Sequence, residues 1–315
     1  MRYRVTGPPD YPEFLLLRIA LHRRGLARLA AAATAVALAA TVTGSAVADA
    51  PAAPGATQKF LSSAQAVAAL DPTPTAPSFF LSGILPSGQM YVYMRDGRGG
   101  FDSRSGAYVW RGLTYCVAVD PDLTGHQDGA YHVMSNGVVN QWRGGRLKQV
   151  ATGWQQYSRV LSPGTLARAS HPDLLARDRQ GVLWRVPIRA DGTLAPRVKV
   201  GGGWNAYTQI AGVGDYSGDT KADIVARDTQ GILWLYKGTG DGRKPFAPRL
   251  RVGSGWNEFN KLVSAGDVDA DRRSDLLARD PKGGLWLYKG TGKASAPFKP
   301  RVKIGTGFQQ YRDLF

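Results

Sequence analysis

Nine residues close to the end of the 315-residue chain, Asp267-Val268-Asp269-Ala270-Asp271-Arg272-Arg273-Ser274-Asp275, place carboxylates at positions 1, 3, 5 and 9 of a short loop. Calcium takes about six to eight oxygen ligands, from carboxylates and backbone carbonyls alike. Four carboxylates this close repel one another unless a cation sits between them. The spacing therefore points to calcium, with the backbone carbonyl of Arg273 near position 7. Upstream, Asp215, Ser217, Asp219 and Asp223 keep the pattern with one neutral hydroxyl and Lys221 at the carbonyl position. Asp120, Asp122, Thr124 and Asp128 keep it again, with Gly125 at the turn. A fourth segment reads Thr165, Ala167, Ala169 and Asp173; its ligands are weakened or gone, and no ion is expected there. The competing interpretation is that all four are Asp-rich turns capped by their own side chains.

Other chemistry is sparse. His126, His132 and His171 stand at no ligand spacing to one another, and Cys116 is the single cysteine, set in the apolar run YCVAV. One cysteine excludes an internal disulfide framework and any multi-cysteine metal site, and this one reads as a buried, inert thiol. There is no G-x-S-x-G elbow, phosphate loop or H-E-x-x-H. No catalytic residues are assigned, and an enzyme is not expected.

A repeat positions the acidic loops. Leu174-Leu175-Ala176-Arg177-Asp178 recurs as Ile224-Val225-Ala226-Arg227-Asp228 and as Leu276-Leu277-Ala278-Arg279-Asp280. Six residues after each of those aspartates stands a tryptophan: Trp184, Trp234 and Trp286. Gly153-Trp154 recurs as Gly203-Trp204, Gly255-Trp256 and Gly307-Phe308. Weaker copies cover 128–142 and 80–95, which makes five units from residue 78 onward.

In the last unit the pattern predicts four strands, at 260–265, 276–279, 285–289 and 301–304, separated by Gly- and Pro-rich turns. The strands ILWLY (232–236) and LWLY (285–288) are apolar on both faces, so both faces must be covered. Four-stranded sheets stacked face to face in a circle form an all-β, five-bladed β-propeller. The first unit lacks a first strand, and Tyr311-Arg312-Asp313-Leu314-Phe315 begins one with no unit after it. Pairing the two closes the ring and removes two open edges. The expected blades span about 78–114 plus 311–315, 115–153, 157–203, 207–255 and 259–307.

Ahead of the repeats, residues 23–48 carry Arg23, Arg24 and Arg28, an Ala-rich apolar run and Ala46-Val47-Ala48, the order of a secretory signal. The domain plan is thus a signal peptide at 1–48, an Ala/Pro-rich flexible linker at 49–77 and the propeller at 78–315. Cleavage would remove six arginines and two acids from a formal charge of +16 and leave +12.

Acidic loops of the form D-x-D-x-D-x-x-x-D, followed by DLLARD and GLWLY strands at about fifty-residue spacing, resemble the FG-GAP/VCBS-type repeats of secreted bacterial proteins. They are more distantly similar to the integrin α-subunit propeller. The resemblance is good over 116–315 and poor over 78–115. It implies a calcium-bearing β-propeller used mainly for binding. Two departures stand out: Thr220 and Arg272 replace glycine at loop position 6, and five units replace the seven blades of the integrin domain.

Two further repeating features have both a binding and a packing interpretation. Trp154, Trp204 and Trp256, with Asn205 and Asn257 beside them, could stack on sugar rings, or could pack between blades. Arg146/Lys148, Arg197/Lys199, Arg249/Arg251 and Arg301/Lys303 could form a positive ring for an anionic polymer, or could protect an outer strand edge. The expected function is a secreted, monomeric, non-catalytic calcium-binding propeller that acts as an interaction module. Alternatives are a lectin-like protein for glycan or anionic cell-wall polymer, and an accessory module to a secreted hydrolase. Another secreted protein is thus a possible partner; nucleic acid is not expected, nor a membrane span after signal cleavage.

Overall fold

A computed structural model of the chain describes residues 76–315. The expected signal segment, and all of the expected linker but Ala76 and Pro77, lie outside the described residues. The described chain begins with β1 (Leu81–Ile84), β2 (Gln89–Tyr93) and β3 (Ser105–Val109). The second blade is β4 (Leu113–Val119), β5 (Gly129–Met134), β6 (Val139–Arg143) and β7 (Arg146–Ala151). The third is β8 (Tyr157–Gly164), β9 (Asp173–Asp178), β10 (Leu183–Pro187) and β11 (Val198–Gly201). The fourth is β12 (Tyr207–Ala211), β13 (Ile224–Asp228), β14 (Leu233–Tyr236) and β15 (Leu250–Gly253). The fifth is β16 (Lys261–Gly266), β17 (Asp275–Arg279), β18 (Leu285–Tyr288) and β19 (Val302–Gly305). Each of its strands lies within one residue of the position expected. A last strand, β20 (Asp313–Leu314), completes the first sheet in the order β20-β1-β2-β3. The fold is an all-β, five-bladed propeller of antiparallel four-stranded blades.

The first strands β4, β8, β12, β16 and β20 touch in succession around the axis. The C-terminal strand therefore supplies the innermost strand of the first blade. Gly83 pairs with Leu314 and Ile84 with Asp313. The amides of Ser82 and Phe315 donate to each other's carbonyls at 3.0 and 2.9 Å, and Arg312 donates to Ile84 at 2.8 Å. Beside this seam the Lys261 ammonium, on a residue only 5% exposed, pairs with the Asp313 carboxylate. Burial, with Arg159 nearby, pushes that ammonium down to about 7 even though Asp313 favours its charge.

Burial follows the pattern in the second strands and departs from it in the third. Ile224, Val225, Ala226, Leu276, Leu277 and Ala278 are all fully buried, as sheets stacked on both faces require. In β14 and β18 only the leucines are buried, while Trp234, Tyr236, Trp286 and Tyr288 are half-exposed. The indoles are covered by cations instead of a neighbouring sheet. Arg197, Arg249 and Arg301 lie over Trp184, Trp234 and Trp286 at 4.0, 4.0 and 4.5 Å. The first member of each of those three basic pairs thus packs on an aromatic face through cation–π attraction.

The recurring Ala-Arg-Asp motif has a mechanical explanation. Asp178, Asp228 and Asp280 accept hydrogen bonds from the indoles of Trp184, Trp234 and Trp286 at 2.8, 2.8 and 2.7 Å, which accounts for the six-residue spacing. Their second oxygens accept amides of the intervening turn, such as Val182, Ile232 and Gly284, each at 2.9 Å. The preceding arginine reaches into the next blade. Arg177 donates to the carbonyls of Trp204 and Tyr207, Arg227 to those of Trp256 and Phe259, and Arg279 to those of Phe308 and Tyr311. Each clasps the single-turn 3-10 helix that starts the following blade: Trp204–Ala206, Trp256–Glu258 and Phe308–Gln310. Gly203, Gly255 and Gly307 enter these turns at φ of 82°, 87° and 84°, a region that glycine occupies without steric cost.

Removing one partner of a buried ion pair typically costs about 3 kcal/mol, because the other charge is left stranded. Asp313→Ala should therefore lower unfolding stability by about that amount, and adding Lys261→Met should recover most of the loss. Denaturant melts of the two variants test this; a neutral Asp313→Ala would show that the pair does not hold the seam.

Candidate metal centre

The loops joining first to second strands carry the acidic residues. Three groups of carboxylates each bring ligand oxygens within 4.8 Å of one another: Asp120/Asp122/Asp128, Asp215/Asp219/Asp223 and Asp267/Asp269/Asp271. In the fifth blade, Asp267 accepts the amides of Asp271 and Arg272 at 3.1 and 3.0 Å, which wraps the loop around its first carboxylate. In the fourth, Asp215 accepts the amides of Ser217, Gly218 and Thr220 at 2.9, 2.7 and 2.6 Å. In the second, Asp120 accepts those of Thr124 and Gly125 at 3.1 and 2.6 Å.

The wrap requires left-handed backbone at loop positions 4 and 6. Leu123, Ala270, Thr220 and Arg272 adopt it with φ of 55°, 63°, 65° and 68°, although none is glycine. Loss of the position-6 glycine therefore leaves the turn geometry intact and stores strain in it.

The ninth-position aspartate has a separate duty. Asp275 accepts the amides of Val268 at 2.9 Å and Gly290 at 2.7 Å, so both its oxygens brace the loop against the β18–β19 connection. It lies outside the convergent trio of its loop. Asp223 makes the equivalent bonds to Tyr216 and Gly238 at 3.0 and 2.7 Å. Asp173 accepts Leu166 at 2.9 Å and pairs with Arg185 at 2.7 Å. This bracing role explains why the third blade keeps Asp173 after losing the other acidic positions.

The remaining expected ligands are placed as follows. Thr124 Oγ1 donates to Asp122 at 2.9 Å and Ser217 Oγ to Asp215 at 3.3 Å. The amides of Lys221 and Arg273 donate to Asp219 and Asp271 at 3.2 and 3.0 Å.

Like charges gathered at low exposure raise proton affinity. Burial first, and then Asp269 and Asp267, push Asp275 up to about 7. Asp223 rises to about 6 through burial aided by Asp215, and Asp120 to about 7 through burial and its hydrogen bond with Asp122. Lysines supply part of the counter-charge: Lys289 meets Asp269 at 2.9 Å and Lys237 meets Asp219 at 3.2 Å. The Asp269 side chain is 8% exposed, and its Oδ1 is buried without a hydrogen-bond partner. A buried, unpartnered carboxylate oxygen beside two further carboxylates is a donor set that fits a hard cation.

The aromatic ligand candidates are corrected by their surroundings. Trp154, Trp204 and Trp256 are only 7%, 6% and 7% exposed. They pack on Tyr157, Tyr236 and Tyr288 at ring separations of 5.1, 4.8 and 4.6 Å, so no indole face is left for a sugar. Asn205 and Asn257 donate to the carbonyls of Arg179 and Thr229, each at 3.3 Å, and hold turns together. His132 stacks on Trp110 at 4.1 Å and is held neutral by burial, which pushes it down to about 3. Burial likewise pushes the Cys116 thiol up to about 12.

One contributor escaped the repeat analysis. Residues 77–79 form a strap that joins the acidic loops of the second and fifth blades. Ser78 donates to Gly125 at 2.8 Å, Phe79 donates to Ala265 at 2.9 Å, and Asp267 donates to Pro77 at 2.8 Å. Gly266 and Gly214 are local signals, since β-carbons there would strike the Pro77 carbonyl and ring respectively.

Residues 215–278, which include two of the acidic loops, match the model of the FG-GAP-like repeat. The chain is an FG-GAP-type β-propeller. No curated protein matches it. Among solved structures, the BP39L lectin from Burkholderia pseudomallei is similar to this FG-GAP-type chain at 12% identity, covering 72% of this chain and 69% of the lectin, with a TM-score of 0.45. The periplasmic gluconolactonase of Pseudomonas aeruginosa shows 16% identity, coverage of 73% and 69%, and a TM-score of 0.41. A putative 6-phosphogluconolactonase from Bacteroides fragilis shows 14% identity, coverage of 76% and 72%, and a TM-score of 0.41. Among the described residues, no helix is long and apolar enough to cross a membrane.

Thr220, β-branched and exposed at φ 65°, is the costliest of the left-handed positions. Thr220→Gly should stabilise the protein by about 0.5–1 kcal/mol, the strain relieved less the added freedom of the unfolded chain. A thermal melt in chelator tests it, and an unchanged or lowered melting temperature would contradict the strained geometry.

Proposed function

We propose that this FG-GAP-type propeller is a secreted, non-catalytic binding module whose acidic loops hold calcium. The observation that carries the calcium assignment is the buried, partnerless Oδ1 of Asp269 beside Asp267 and Asp271. The ion would be a structural counter-charge. It would take over from Lys289 in neutralising the fifth-blade loop, and through the Asp267 amide it would steady the strap at Pro77. The fourth and second blades offer Asp215/Asp219/Asp223 and Asp120/Asp122/Asp128 for further ions, while the third, with Asp173 committed to Arg185, holds none. The absence of catalysis is supported by the duties of the polar residues: the motif aspartates and arginines brace turns and join blades. The protein is proposed to act as a monomer outside the cell, on a glycan, an anionic wall polymer or another secreted protein.

A ligand that binds only the folded state stabilises it by about 2.7 kcal/mol at one hundred times its dissociation constant. Saturating calcium added to chelated protein should raise the melting temperature, and Asp271→Ala should remove most of that gain. A melt indifferent to chelator would refute calcium binding. The gain should also depend on pH. Asp275, Asp223 and Asp120 have folded-state values raised to about 7, 6 and 7, so the metal-free fold keeps its protons and loses their stabilising contribution as pH rises through that range. Calcium competes with those protons. The difference between calcium and chelator melts should therefore widen from pH 5 to pH 8; a constant difference would show that these carboxyls are not linked to the ion.

A further inference from the structure

The turns that start successive blades create equivalent grooves on the flank of the propeller, and one of them differs from its siblings. At the groove between the third and fourth blades, Gly202 stands where the other turns carry Thr152, Ser254 and Thr306. Ala206 stands where they carry Gln156, Glu258 and Gln310. Gly202 has no positive φ, and a β-carbon built on it would meet nothing within 4 Å, so the fold does not demand glycine there. Both changes shorten side chains at the mouth of one groove. A cavity of about 500 Å³ lies at that mouth, within the size range of small-molecule sites.

The walls have a definite chemistry. Tyr207 and Tyr236 share a hydroxyl–hydroxyl hydrogen bond of 2.5 Å, and Arg249 donates to the Tyr207 hydroxyl at 2.5 Å. Half-buried Phe246 and exposed Lys244 also line it, as does the small exposed part of Trp204, whose ring faces are packed on its neighbours. In the neighbouring groove the equivalent arginine, Arg301, is already paired with Glu258 at 2.5 Å, Phe259 replaces Tyr207 and Ala296 replaces Lys244. The open groove therefore combines two cations, two phenolic hydroxyls and an aromatic wall, with no carboxylate in the Glu258 position.

We infer that this groove binds a carboxylated sugar, the unit of an acidic glycan. Arg249 and Lys244 suit the carboxylate, the tyrosine hydroxyls suit ring hydroxyls, and Phe246 offers a surface for the apolar face of the ring. The site lies on the flank and uses none of the acidic loops. It rests on the proposal that the propeller is a binding module, and it gives that module a class of ligand.

Titration calorimetry of the full chain in constant calcium, with glucuronic acid and with glucose as the neutral counterpart, tests the inference. Glucuronic acid should bind at least tenfold more tightly than glucose, and Lys244→Ala should weaken it about tenfold. The double variant Gly202→Thr/Ala206→Glu copies residue types that sibling turns already accommodate, so it should fold and melt like the wild type. It should nevertheless lose glucuronic acid binding, since the new glutamate would occupy Arg249. Absent binding by the wild type, equal binding of glucose, or unchanged binding by the double variant would each overturn the inference. The calcium-dependent melt of the same samples separates failures: an intact calcium response without glucuronic acid binding removes this ligand alone, and its loss in the wild type removes the calcium reading as well.

Discussion

A sheet buried on both faces has to find neighbours on both sides, and in this chain that demand is met only if the first and last strands of the propeller meet. Leu276, Leu277 and Ala278 in one blade and Ile224, Val225 and Ala226 in the next are fully removed from water. An open row of such blades would expose two terminal faces of that composition. The meeting is made by a very short strand, Asp313–Leu314, and its brevity is offset by what surrounds it. Arg279 clasps the turn before it, Lys261 pairs with Asp313, and the Tyr311 hydroxyl bonds that of Tyr93 at 2.6 Å. The seam is thus a composite of backbone pairing, a buried ion pair and inter-blade clasps.

The same economy governs the acidic loops. In the fifth blade Asp275 braces the loop while Asp267, Asp269 and Asp271 converge; in the fourth, Asp223 does both. In the fourth and fifth blades, lysines just past the third strands ease the repulsion without removing it. The third blade shows the alternative: with Ala167 and Ala169 in the loop and Arg185 on Asp173, it has nothing left to neutralise. In the proposed function the loops belong to the scaffold, and ligand recognition falls to the flank, where the repeats differ.

Much of this was legible in the sequence because the repeat carries it. The ARD and GW spacings mark the blades, and the surplus segment ending in Phe315 announces the closing strand. Contacts between repeats were not legible. Arg177 reaches Trp204 and Tyr207, about thirty residues ahead, and nothing in a strand's own alternation reports that bond. The six-residue interval from Asp228 to Trp234 was visible, but its cause, an indole donating across a hairpin, appears only in three dimensions. Trp154, Trp204 and Trp256 beside glycines left display and packing both open; in the fold the rings are buried after turns that those glycines enter at positive φ. The strap at residues 77–79 has no repeat partner, so periodicity could not reveal it. Gly202 and Ala206 were visible as departures from a repeat, and they gained meaning only once their places at one groove mouth were known.

Native-state hydrogen exchange at the seam offers the most direct test of closure. The amides of Ser82 and Phe315 bond across it, and those of Val225 and Leu277 lie deep in the blades. If the ring is one cooperative structure, all four should exchange only through global unfolding, with equal free energies and equal sensitivity to denaturant. Fast exchange of Ser82 and Phe315, with protection kept at Val225 and Leu277, would mean that the ends open independently and that closure does not support the fold.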